Sequence, residues 1–136
     1  MASATACAPG PGEPCSSAVA ARAAAVSRRR KRPFSSLRGR TEFQRLRREG
    51  IRRRVGGVTV VAAAGGPHSP LVGVLAGKAV GSAVRRNRAK RRLRAAVARA
   101  PLRSDRDYLV IAGEAVPAAP FGVLVGWVTA AVEELK

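Results

Sequence analysis

Between Arg85 and Arg94, seven of ten residues are cations: Arg85, Arg86, Arg88, Lys90, Arg91, Arg92 and Arg94. No Asp or Glu occurs from residue 50 to residue 104, so these charges have no carboxylate partner in their own stretch of chain. A merely solvated face would interleave Glu with Arg. An acid-free one suits phosphate, whose recognition requires fixed cations and little else. Arginine supplies nearly all of the positive charge, because Lys occurs only at positions 31, 78, 90 and 136. Guanidinium binds phosphate through two parallel hydrogen bonds and stacks on bases, which ammonium does not. Asn87, set among the arginines, fits two roles: an exposed amide, or one bonded to a base edge or a ribose hydroxyl.

Protein-borne catalysis fits poorly. The single histidine, His68, lies in a Gly/Pro/Ser loop with no carboxylate near it in sequence, so no nucleophile–base pair is legible. Two cysteines, Cys7 and Cys15, with one histidine do not make a zinc site. A turn ahead of a strand accounts for Asp105 and Asp107 better than a shared metal does. Gly73 to Lys78 imitates a phosphate loop, but it is one residue short and Ala79 stands where Ser or Thr is required. No catalytic residue, no metal ligand and no cofactor held by the protein alone is expected.

The whole chain of 136 residues carries a net charge of +18, and self-repulsion of that size favours a polyanionic partner. Residues 28–54 contribute +11 and residues 55–104 contribute +10, whereas residues 105–136 carry −3. There is no apolar run of membrane-spanning length and no secretory pattern at the N-terminus. A cytoplasmic protein is therefore expected. Residues 1–33 are rich in Ala, Ser and Pro and end near the basic run Arg28–Arg32. They are expected to form a disordered arm, which their composition fits better than an organelle transit peptide. Whether Cys7 and Cys15 ever pair is left open.

The elements that must position the cations follow from periodicity. Thr41-Glu42-Phe43-Gln44 fits a capping box, giving a first helix over about 41–49 that Gly50 ends. Residues 55–64 and 71–75 are apolar and predict two strands. Ser82 is a reasonable N-cap for a helix whose Ala89, Leu93, Ala96, Val97 and Ala100 share one sector, with cations elsewhere; its first amides, near Ser82 and Ala83, could also meet a phosphate. Pro101 ends it. Asp107–Ala112 predicts a third strand. After Pro117 and Pro120, a last helix has Phe121, Leu124, Val125, Val128, Val132 and Leu135 on its core face. Trp127 lies off that stripe and is expected to pack rather than to stack on a base. The order is α-β-β-α-β-α, an α+β architecture with a small sheet against three helices.

The segment Gly81-x-Ala83-Val84-x-Arg86-Asn87-Arg88-x-Lys90-Arg91-x-x-Arg94 resembles the signature of the bacterial ribonuclease P protein subunit. Leu37–Gly50, with Phe43-Gln44, resembles that family's first helix, and Asp107–Ala112 resembles its late strand. The resemblance covers roughly residues 34–136 and implies a domain of that extent with a left-handed β-α-β crossover around the Arg-rich helix. It also implies a division of labour. The catalytic RNA subunit, with Mg2+, cleaves the 5′ leader from precursor tRNA, and the protein helps bind both RNAs, with no obligate protein partner evident.

Carried over by position, Lys78, Arg86, Asn87, Arg88, Lys90, Arg91 and Arg94 would contact RNA, and Arg85 and Arg92, in the same cationic run, are expected to bind RNA with them. Phe43 would line the leader cleft. Arg47, and Val60 or Val61, stand where the family has its other cleft aromatics, and Gly77 and Ala79 replace a common Ser and Lys. Leader contact would then rest on arginine planes and backbone charge. The alternatives are a general RNA- or DNA-binding basic protein, ribosomal or nucleoid-associated, and a protein enzyme with its own site.

Overall fold

The computed structural model describes residues 32–136. Residues 1–31 of the arm expected to be disordered, with Arg28 to Lys31, Cys7 and Cys15, lie outside the described residues. Five strands and three helices follow in the order β1 (Ser35–Ser36), α1 (Arg40–Glu49), β2 (Ile51–Val55), β3 (Val58–Ala64), β4 (Leu71–Ala76), α2 (Ala83–Val97), β5 (Arg106–Ala112) and α3 (Phe121–Glu133). A short 3-10 turn, Lys78–Val80, precedes α2. One mixed sheet runs β1-β4-β5-β3-β2. Its centre, β4 and β5, is a parallel pair joined through α2, and β3 pairs antiparallel with both β5 and β2.

Alternation along the strands makes two cores. Val58, Val60, Ala62, Val72, Tyr108, Val110 and Ala112 face α2 and α3. Val61 and Leu109 point the other way, to meet Leu37 and Leu46 beneath α1. A period of two in side-chain direction has this consequence when both faces are covered. The predicted stripe of α2 (Ala89, Leu93, Ala96, Val97 and Ala100) is buried as one set. On α3, Leu124, Val128 and Val132 are buried with Leu135 just beyond it, Ala131 joins them, and Phe121 and Val125 are partly buried.

The architecture is α+β with three helices, and the sheet has two strands more than periodicity indicates. The stretch 55–64 does not run as one strand: Val55 pairs with Val58 across a two-residue turn. Gly56 takes φ 58° there, a left-handed value that such hairpins need and glycine adopts freely. Trp127 lies flat on this turn, since a Cβ at Gly56 would stand 2.3 Å from a ring carbon. The strand on the other side, Ile51-Arg52-Arg53-Arg54-Val55, carries no apolar alternation because it is a sheet edge, where charge is tolerated and discourages pairing with another chain.

The capping box at Thr41 does not form. Gly39 is the N-cap of α1 and no side chain caps it. The helix is held instead by Arg45, whose guanidinium donates to Asp107 Oδ2 at 2.8 Å and to the Ala64 carbonyl at 3.2 Å. Asp107 is 1% exposed and also accepts from the Leu71 amide at 3.2 Å. It therefore ties α1, β4 and β5 together rather than marking a turn. Gly50 closes α1 in an extended conformation, and a Cβ there would lie 2.3 Å from Val61 Cγ1.

Candidate nucleic-acid interface

Helix α2 begins at Ser82, whose hydroxyl accepts from the Arg85 amide at 3.5 Å. Its buried stripe docks on the sheet and on α3, which turns the remaining positions outward. Arg85, Asn87, Arg88, Arg91 and Arg94 are exposed; Arg86, Lys90 and Arg92 are partly buried along the margins of the stripe. Lys78, on the preceding 3-10 turn, is exposed too. The structure thus brings the sequence-predicted cations onto one helix and the turn that leads into it.

Among the described residues, the ion pairs are Arg45 with Glu42, Arg45 with Asp107, and Arg103 with Asp105. None involves α2, so its seven cations are left without a carboxylate. Arg92 nevertheless differs from its neighbours. Its guanidinium donates to the carbonyls of Val116 (2.9 Å), Pro117 (2.7 Å) and Ala119, which holds the β5–α3 connection against α2. Arg86 is the opposite case: its Nε is buried with no hydrogen-bond partner.

A shallow groove of about 340 Å³ runs along the outer face of α2, lined by Val84, Asn87, Arg88, Arg91 and Arg92. Val84 is 78% exposed, an apolar side chain among cations. The signal for it was present in sequence, since Val84 lies far around the helix from the buried sector. Arg99 sits over the Phe121 ring, 4.9 Å from its centroid, a cation–π contact between the end of the basic helix and α3.

Phe43 and Arg47 are four residues apart on α1 and share a side. Phe43 is partly buried and packs onto β4, where a Cβ at Gly73 would come within 2.9 Å of its ring. Arg47 is exposed. On the same sheet face Leu75 and Ile111 are partly buried around the α1 core, leaving some apolar floor beside Phe43. Val60 and Val61 are both fully buried, on opposite faces, and neither is open to a ligand.

A hollow of about 950 Å³ is lined by residues that include His68, Pro101 and Asp105. The fold brings His68 and Asp105 to one site, but they do not act on each other. His68 Nδ1 lies 3.3 Å from the Ser69 carbonyl oxygen, and Asp105 takes two bonds from Arg103, at 3.0 and 2.9 Å. The Arg103 guanidinium holds the Asp105 carboxyl below its ordinary range, which disfavours it as a proton donor. Among the described residues there is no group of three potential metal ligands, and no helix is long and apolar enough to cross a membrane.

The sequence of the Ribonuclease P family matches residues 32–136. No curated protein sequence matches significantly. Among solved structures, the fold is similar to the RNase P protein of Thermotoga maritima (TM-score 0.66, 20% identity, covering 75% of this chain and 98% of that one). It is similar also to that of Staphylococcus aureus (TM-score 0.64, 21% identity, 74% of this chain and 94% of that one). At such identities these likenesses speak for the fold.

Proposed function

The chain belongs to the ribonuclease P protein family, and from that premise we propose that it is the RNA-binding, non-catalytic subunit of a ribonuclease P that removes the 5′ leader of precursor tRNA. The observation that carries the reading is the outward face of α2, whose cations are exposed or partly buried and, among the described residues, in no ion pair with the protein's own acids. That face grips the catalytic RNA subunit. The site residues are Lys78, Arg85, Arg86, Asn87, Arg88, Lys90, Arg91 and Arg94, and Arg92 supports them from inside by fixing the adjoining loop.

The leader lies beside Phe43 and Arg47. With Val60 and Val61, the two alternatives for the family's other aromatic position, both buried, the contact is one stacking surface plus backbone charge, tolerant of leader sequence. Cleavage belongs to the RNA, with Mg2+ that the RNA organises, and the assembly works in the cytoplasm.

Arg86→Ala with Arg88→Ala weakens assembly with the RNA subunit and lowers the slope of log affinity against log salt by roughly 1.4–1.8, two phosphate contacts' worth. An unchanged slope in a filter-binding titration refutes this placement of the RNA face. Reconstitution supplies the wider test: precursor tRNA is cut by protein plus RNA subunit and left intact by protein alone.

A further inference from the structure

A second group of arginines lies apart from α2. Arg48, at the end of α1, and Arg52, Arg53 and Arg54, on the edge strand β2, are all exposed. None is in an ion pair among the described residues, and Glu49, the one acid between them, pairs with none of them. The group wraps around the edge. Register with β3 puts Arg52 and Arg54 opposite Val61 and Thr59, on the α1 side, and Arg53 opposite Val60, on the α2–α3 side. A cleft floor would present its cations on one face; this edge presents them on both.

The separation from α2 is structural. Helix α2 rests on β4 and β5, whereas α3 rests on β3 and β2. Two strands, β5 and β3, stand between β4 and the edge, roughly 14 Å at ordinary strand spacing. Helix α3 fills that gap on its side of the sheet, and it contains no Lys or Arg. Phe43, over Gly73 of β4, is at the far side from the edge as well. A short RNA segment seated on α2 therefore does not reach β2.

We infer that the β2 edge, with Arg48 at the end of α1, is a second RNA-binding surface that takes the phosphate backbone of a different RNA segment, so that the protein bridges two segments. The inference rests on the reading that α2 binds RNA. The open backbone of an edge strand would otherwise invite a second copy of the chain, but three consecutive arginines facing three others repel it. A polyanion is the occupant whose charge complements this edge, and a strand bearing guanidiniums on both sides can follow a backbone without reading bases.

The test is a titration of the full-length protein at low salt with 5′-phosphorylated diuridylate, a probe shorter than the gap between the two surfaces, with bound equivalents counted by native mass spectrometry. Arg52→Gln, Arg53→Gln and Arg54→Gln together remove one equivalent relative to the unaltered protein. The corresponding triple Lys variant keeps it, and matching thermal unfolding of all three shows that the fold is intact. Arg88→Gln with Arg91→Gln removes a different equivalent, and combining the two sets removes both.

A triple Gln variant that binds as many equivalents as the unaltered protein overturns the inference. So does a dimer seen by sedimentation that the triple Gln variant releases. If only the α2 variant keeps every equivalent, the α2 reading fails while the edge site stands.

Discussion

Helices α1 and α2 are both arginine-rich, and the fold uses them differently. In α1, Arg45 is drawn inward to Asp107, 62 positions away, and to the Ala64 carbonyl. In α2 only Arg92 is used internally, and it meets carbonyls rather than a carboxylate. An arginine becomes part of the scaffold when a buried acceptor lies within its reach, and it stays available for a ligand when none does. Two of the three ion pairs hold α1, and the third closes the turn before β5. Asp105 and Asp107 thus serve the scaffold and leave α2 free.

The comparison breaks most visibly at Arg45. Arg45→Ala leaves the Asp107 carboxylate buried with the Leu71 amide as its remaining donor, and should cost about 3 kcal/mol in urea unfolding, toward the low end for a buried pair because Arg45 is itself partly exposed. A loss below 1 kcal/mol would show that the pair does not hold α1. Arg92→Ala should cost about 2 kcal/mol through three carbonyls left without their charged donor. It should leave the salt slope of RNA binding unchanged, and a fall of one phosphate's worth would move Arg92 into the RNA face.

Phe43→Ala sharpens the contrast from the side of α1. If Phe43 meets the leader, precursor tRNA binding should weaken about tenfold, in line with the loss of one stacked base, with little change for mature tRNA. Equal effects on the two would make Phe43 a core residue only.

The smallest effect is expected at Asp105. Because Arg103 keeps its folded carboxyl below the ordinary range, its contribution is in place at neutral pH and lost as pH falls through the carboxylate range. Asp105→Asn should slightly flatten the acid limb of a thermal-stability profile, and a steeper limb would contradict the assignment.

Several features were legible without the fold because they depend on neighbours along the chain. The stripe from Ala89 to Ala100 and the Ser82 cap need only a helical period and a terminal hydroxyl, and both are present. The absence of acids between residues 50 and 104 needs only counting. The capping box at Thr41 was a local inference too, and it failed because Gly39 starts the helix and a long-range ion pair holds it.

What tertiary structure alone decided is which cations are spoken for. Helical period sets Arg92 at the margin of the buried stripe and Arg91 away from it, but does not say what Arg92 meets there. It meets three carbonyls some 25 residues onward, brought there by the packing of α3 on α2. Likewise Arg52–Arg54 falls in none of the elements that periodicity predicts, and it forms a strand only by pairing with β3. Periodicity and charge are properties of a segment, whereas a hydrogen-bond partner distant along the chain exists only after the sheet has assembled and brought it within reach.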